Sequence, residues 1–142
     1  GSALCMRAFG TYPKRALIAM CLAGTLAGCN APVDVGRAAY LGHCTDCHGA
    51  DARGSGPLAG LFESGVPDLT ALAATNGGTF PEAHVIRAIG TPSEVHGGIT
   101  AMPDFARLLS GAPATFTVPD GSVIDTTDTV LALAAYLRSV QD

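Results

Sequence analysis

The stretch from Gly42 to Asp51 reads GHCTDCHGAD, two cysteines three positions apart with a histidine directly after the second. Four chemistries compete for it. A structural zinc site needs four ligands, commonly as two separated pairs. The further candidates are His43, His84 and His96, and no second pair has a familiar spacing. A thioredoxin-like redox pair expects a strand before the motif and a helix opening at the first cysteine. Here a helical pattern precedes the motif and a glycine-rich loop follows. A pair of structural thiols gives His48 no task. Covalent haem attachment accounts for all three residues, because Cys-x-x-Cys-His is the signature of c-type haem. Cys44 and Cys47 are then thioether anchors on two vinyl groups of one haem c. His48 is carried under the iron as proximal ligand. A six-coordinate iron needs a second axial ligand, for which the candidates are His43, His84, His96 and Met102.

The N-terminal segment bears on the same choice. From Met6, MRAFGTYPKR supplies a positive start, and Ala16 to Gly28 is an uncharged, mostly apolar run. A spanning helix needs about twenty residues, so this shorter run reads as the h-region of a signal peptide. Leu26 to Cys29 reads LAGC and resembles a bacterial lipobox. That implies cleavage before Cys29 and a diacylglyceryl group on its sulfur. The expected organisation is a signal peptide with lipobox over 1–28 (1–5 extraneous to it), a linker over 29–33, and one domain over 34–142. The site of action is then the periplasmic side of a bacterial membrane, reached by export and held by a lipid. Cys5 and Cys21 belong to the address, and an exported dithiol meets oxidising surroundings.

The rest of the chain must position the motif. Asp34 is placed to cap a helix over roughly 35–46, with Gly36 and Tyr40 on one face. A glycine- and proline-rich loop follows. Asp68 can cap a short helix from Leu69 to about Thr75. Thr79 and Glu82 form a capping box for a helix ending at Gly90, with Val85, Ile86 and Ile89 inward. A second loop, a short turn over FARLL and a hairpin over about 114–125 come next, with Pro119-Asp120-Gly121 at its tip. The last helix starts near Thr127 or Asp128. Val130, Leu133, Ala134, Leu137 and Gln141 share one of its faces. With 142 residues, 18 glycines, 9 prolines and no tryptophan, one loop-rich domain would gain from a large apolar prosthetic group. From Cys29 onward five basic residues face twelve acidic ones, a formal balance of −7. That argues against a nucleic-acid partner and suits a basic docking patch.

In order along the chain, GRAAYLGHCTDCHGADARGSGP, PDLT, AMPDF and LALAAYLRSV resemble the landmarks of class I monohaem cytochrome c. The resemblance spans about Asp34 to Val140. It implies an all-α domain of about four to five helices wrapped around one haem, with a short β-hairpin insertion before the C-terminal helix. It implies that Gly36 and Tyr40 pack on the last helix around Leu133, Tyr136 and Leu137. It matches Pro57 to the proline whose carbonyl accepts the proximal histidine's Nδ1–H, and PDLT to a loop near a haem propionate. It favours Met102, the sole methionine after the signal segment and followed by Pro103, as sixth ligand. His96, six residues earlier, is the main competitor. The hairpin is longer than the family minimum.

The function implied is one-electron transfer, not enzymatic catalysis. The chain would act as a membrane-tethered carrier or as a cytochrome subunit of a larger complex. Its partners would be a redox donor and acceptor, with a basic docking patch or within a membrane oxidoreductase. The alternatives are a haem sensor or peroxidase-like enzyme with an open iron site, and a haem-free thiol oxidoreductase.

Overall fold

The computed structural model describes residues 31–90, 102–103 and 105–142. Cys29 and His96 lie outside the described residues. Among those described are five α-helices, three short 3-10 turns and one two-stranded hairpin. The helices are α1 Ala31–His43, α2 Thr45–His48, α3 Leu72–Thr75, α4 Glu82–Gly90 and α5 Asp128–Ser139. The strands are β1 Pro113–Thr117 and β2 Val123–Thr127. The all-α expectation and the hairpin before the last helix are both borne out.

Helix α1 begins at Ala31, so Asp34 sits in its first turn and is not its cap. Pro32 tolerates that position because first-turn N–H groups have no partner within the helix. Asp34 there still opposes the positive helix end favourably. At the other end the helical bonding outlasts the expected stop near residue 46. Cys44 N–H donates to the Tyr40 carbonyl and His48 N–H to that of Cys44, both at 2.9 Å. The motif is therefore wound on a helical turn, not placed after one.

Helices α1 and α5 cross backbone to backbone. A Cβ on Gly36 would collide with the Ala132 carbonyl oxygen and come within 2.9 Å of the Leu133 nitrogen. Only glycine permits that approach. One turn on, Tyr40 is fully buried and its ring lies 5.3 Å from that of Tyr136, tilted 48°. Such tilted pairs add stability beyond the area they bury. Val130, Ala132, Leu133, Ala134, Tyr136 and Leu137 are all buried on α5. Val85, Ile86 and Ile89 of α4 join the same core.

Helix α5 starts at Asp128, within the expected bounds, and Thr127 caps it, its hydroxyl accepting from Val130 N–H at 3.3 Å. The capping box at Thr79 takes a different form. Helix α4 starts only at Glu82, whose carboxylate accepts from Arg138 of α5 at 3.0 Å. Pro81 sits at the helix entrance, and its carbonyl takes Val85 N–H at 3.0 Å. In the hairpin Phe116 pairs in register with Ile124. Both are half-buried against the core, while Val123 and Asp125 face outward.

Gly36→Ala tests the crossing. Forcing a methyl into it should lower unfolding stability by about 1–3 kcal/mol, read as a lower denaturant midpoint. A midpoint equal to that of the unaltered protein would mean that α1 and α5 do not meet this closely.

Candidate functional site

Residues i, i+3 and i+4 of a helix share a face. Winding Cys44-Thr45-Asp46-Cys47-His48 on a helical turn therefore sets Cys47 and His48 each next to Cys44 on the helix surface. Cys44 and His48 line a cavity of about 290 Å³. Cys47 is half-buried one turn away. The cavity walls are otherwise almost wholly apolar. Tyr40 and Cys44 come from the first helical run, Leu133 and Leu137 from α5, and Val85, Ala88 and Ile89 from α4. Pro67, Leu69 and Leu72 close one side, with Met102 and Phe105 on the far loop. Small-molecule and cofactor sites are typically concave and apolar in this way, with few polar groups that fix orientation.

His48 is held by its second nitrogen. Nδ1 lies 3.3 Å from the Pro67 carbonyl oxygen. A carbonyl only accepts, so Nδ1 carries the proton and Nε2 keeps its lone pair. That is the tautomer and the orientation a metal-binding histidine needs. Burial pulls the imidazole below the usual histidine range, against the Pro67 hydrogen bond, which raises it. The ring is thus held neutral, as ligation requires.

The acceptor is Pro67 and not Pro57, a correction to the sequence reading. The loop explains the exchange. Gly56 N–H donates to the Cys47 carbonyl at 3.1 Å and Leu58 N–H to that of Asp46 at 2.8 Å. Pro57 is thereby pinned, exposed, over the end of α2. The chain then turns back so that Gly54 meets the Val66–Pro67 peptide. A Cβ on Gly54 would strike the Val66 carbonyl, and its φ of +75° is one that glycine adopts freely. Ala52 is buried at φ +62°. Its N–H donates to Gly49 at 3.2 Å and its carbonyl accepts from Leu69 at 2.8 Å. A non-glycine residue in that region persists where surrounding bonds over-determine it.

Two further ties hold this wall. Asp68 accepts from Thr70 through the backbone at 2.8 Å and the hydroxyl at 2.6 Å. The Thr70 hydroxyl bond leads the causes that draw the Asp68 carboxyl below its ordinary range. Gln141, just beyond α5, donates to the Leu69 carbonyl at 2.7 Å and accepts from Ala73 N–H at 2.8 Å. Arg53 pairs with Asp142 at 2.9 Å and more loosely with Asp68. These ion pairs are exposed, so they contribute little singly.

Burial pushes the Cys44 thiol up to about 11, with Cys47 adding to the shift. Tyr40 is raised too, first by burial and then by Cys44, and its hydroxyl donates to the Gly49 carbonyl at 2.7 Å. Unreacted, Cys44 is a sequestered thiol and not an activated one. Among the described residues no group of three or more His, Cys, Asp or Glu side chains is arranged to hold a metal ion. The donors instead suit a flat apolar group bound at its edge by two sulfurs and at its centre by His48.

Of the sequence-predicted residues, Cys44, His48 and Met102 meet at one cavity, with Cys47 beside it. His43 is exposed and is not among the lining residues. His84, one of the candidates for the second axial position, also lines the cavity. Its i, i+4 relation to Ala88 was the available signal. Pro67 was missed because two prolines flank one loop, and spacing alone does not say which carbonyl turns inward.

The family model for Cytochrome c matches residues 33–141. No curated protein and no solved structure gives a match.

The lowered His48 proton affinity sets a pH dependence. A histidine whose folded value is depressed contributes stability above its unfolded value, and that contribution is lost as pH falls through the folded value. The ligand-free imidazole should therefore take up its proton only below the ordinary histidine value of 6.5. An NMR titration of the His48 ring in the haem-free protein reads this. A midpoint at or above 6.5 would contradict the buried, Pro67-bonded imidazole.

Proposed function

The chain belongs to the cytochrome c family, and from that premise we propose that it carries single electrons on one haem c held axially between His48 and Met102. The family binds haem covalently and serves electron transfer. When bound, the haem supplies the one-electron Fe(III)/Fe(II) couple. The observation that carries the reading is that His48 and Met102 line the same cavity from different parts of the chain.

The protein's contribution is then positional. His48 is neutral, oriented by Pro67 and held on a helical turn to which the loop at Gly56 and Leu58 is bonded. Cys44 and Cys47 fix one edge of the group to that same turn. Met102 is half-buried and packs on the core beside Phe105. Thioether ligation favours the reduced iron relative to a second imidazole and so raises the potential. The apolar walls exclude water and lower the local dielectric, which disfavours the extra charge of the oxidised state in the same direction. A carrier with both axial positions filled needs no substrate pocket, which supports a non-enzymatic role.

Export and tethering belong to the same proposal. The LAGC sequence ending at Cys29 supports lipidation on the periplasmic side of a bacterial membrane. Among the described residues no helix is long and apolar enough to cross a membrane. A lipid tether of this kind would raise the local concentration of the domain near a membrane oxidoreductase.

Met102→Ala tests the axial assignment. It should lower the midpoint potential by on the order of 0.1 V and let the reduced protein bind carbon monoxide rapidly. An unchanged spectrum and potential would remove Met102 from the iron. Intact-mass and peptide mass spectrometry of the membrane fraction tests the tether. Cys29 should be the first residue and carry a diacylglyceryl thioether. A mature chain with unmodified Cys29 would dismiss the anchor.

A further inference from the structure

Leu61 is 74% exposed and Leu58, three residues before it, 43% exposed. Both belong to a single tight turn. Leu61 N–H donates to the Leu58 carbonyl at 3.1 Å and Phe62 N–H to that of Ala59 at 3.2 Å. A hydrophobic side chain held outward on an ordered turn gains nothing for the fold. The turn is also fixed against the haem-attachment motif itself. Leu58 N–H is bonded to Asp46 and Gly56 N–H to Cys47, the second thioether anchor. A molecule seated on these leucines is thus a few bonds from the covalently held edge of the cofactor.

The charge around the turn has one sign. Asp46, Asp51 and Glu63 are all exposed on the segment from Thr45 to Val66. The one arginine there, Arg53, is already paired with Asp142 and Asp68. Asp46 is joined to Leu58 through the backbone, and Glu63 follows Leu61 by two residues. Of the other exposed large apolar residues among those described, Val35, Leu41, Leu108 and Val123, the last lies on the outer face of the hairpin at 58%. It has no such link to the motif.

Building on the electron-transfer reading, we infer that Leu58 and Leu61, flanked by Asp46 and Glu63, form the face on which a redox partner docks, and that this partner presents an apolar patch ringed by Lys and Arg. The apolar contact supplies close approach and water exclusion beside Cys47. The acidic flank steers a basic partner and makes the encounter rate fall with ionic strength. The electron enters or leaves at the covalent edge, one per encounter, with the partner oxidised as the haem is reduced, or the reverse.

The test uses the reduced haem protein and two one-electron oxidants in stopped flow. Tris(phenanthroline)cobalt(III) is a bulky apolar trication that mimics the inferred partner chemistry. Ferricyanide is a small hydrophilic anion that does not. The double variant Leu58→Ser/Leu61→Ser should react about fivefold more slowly with the cobalt reagent and at the unaltered rate with ferricyanide. Asp46→Asn/Glu63→Gln should flatten the ionic-strength dependence with the cation and slow it at low salt by about three- to tenfold. Val123→Ser should change neither rate. Wild-type rates in the leucine variant, or equal slowing in Val123→Ser, would overturn the docking face. So would a dimer in sedimentation that Leu61→Ser dissolves, since a second copy would then occupy the patch. If the unaltered protein reacts with neither oxidant, the electron-transfer reading itself fails, and the docking face fails with it.

Discussion

The contact on which the rest of the molecule depends is the meeting of Gly36 with the backbone of Ala132 and Leu133. Two helices at this separation leave no side-chain layer between them. The next turn of α1 must then be filled from the side, and Tyr40 does so against Tyr136. That fixes the rotation of α1 about its axis. Because helical bonding continues through Cys44 to His48, the rotation of α1 also sets the direction in which the motif faces. A motif on a free helix would present its thiols and imidazole anywhere around a circle. Here it presents Cys44 and His48 to a cavity walled by Leu133 and Leu137 of the helix that α1 touches.

The cavity shows how a small, loop-rich domain resolves its shortage of core. The side chains that face one another across it do not close on themselves. Tyr40, Val85, Ile89, Leu133 and Leu137 belong at once to the buried core and to the cavity wall. An apolar group seated there completes the core as well as performing chemistry. Binding to the folded state alone stabilises that state, and a covalent link makes the stabilisation permanent. The polar groups at the wall are correspondingly few, and two of them are bonded within the chain. His48 is bonded to Pro67 and Tyr40 to Gly49, so neither competes with the backbone for a partner.

Much of this was legible in the sequence. The motif named its own cofactor chemistry, and the periodicity of α5 named Val130, Leu133, Ala134 and Leu137 as the buried face. The hairpin was visible from alternation and its Pro119-Asp120-Gly121 turn. What escaped were features set by distant partners. Helix α1 starts at Ala31, because a first-turn proline is tolerated as readily as a cap at Asp34. Glu82 had the spacing of a capping box, yet its carboxylate is taken by Arg138, 56 residues away. The Pro57–Pro67 exchange is of the same kind. Both prolines fit a turn, and only the close passage of Gly54 against Val66 decides which carbonyl faces the histidine. Local pattern is read within a few residues, whereas these outcomes are three-dimensional.

The clamp at Gln141 has a consequence for the order in which the pocket is assembled. Its amide grips the Leu69 carbonyl and the Ala73 N–H, some seventy residues back along the chain. Leu133 and Leu137, which form one wall, come equally late. A chain made from its N-terminus therefore displays Cys44, Cys47 and His48 well before the side that would shut over them exists. Contacts of such sequence separation form slowly, because a long loop must close first. During that interval the motif stays accessible to the machinery that must join a bulky ring to two thiols. The last helix then acts as a closing door, with the Gln141 side chain among its latches.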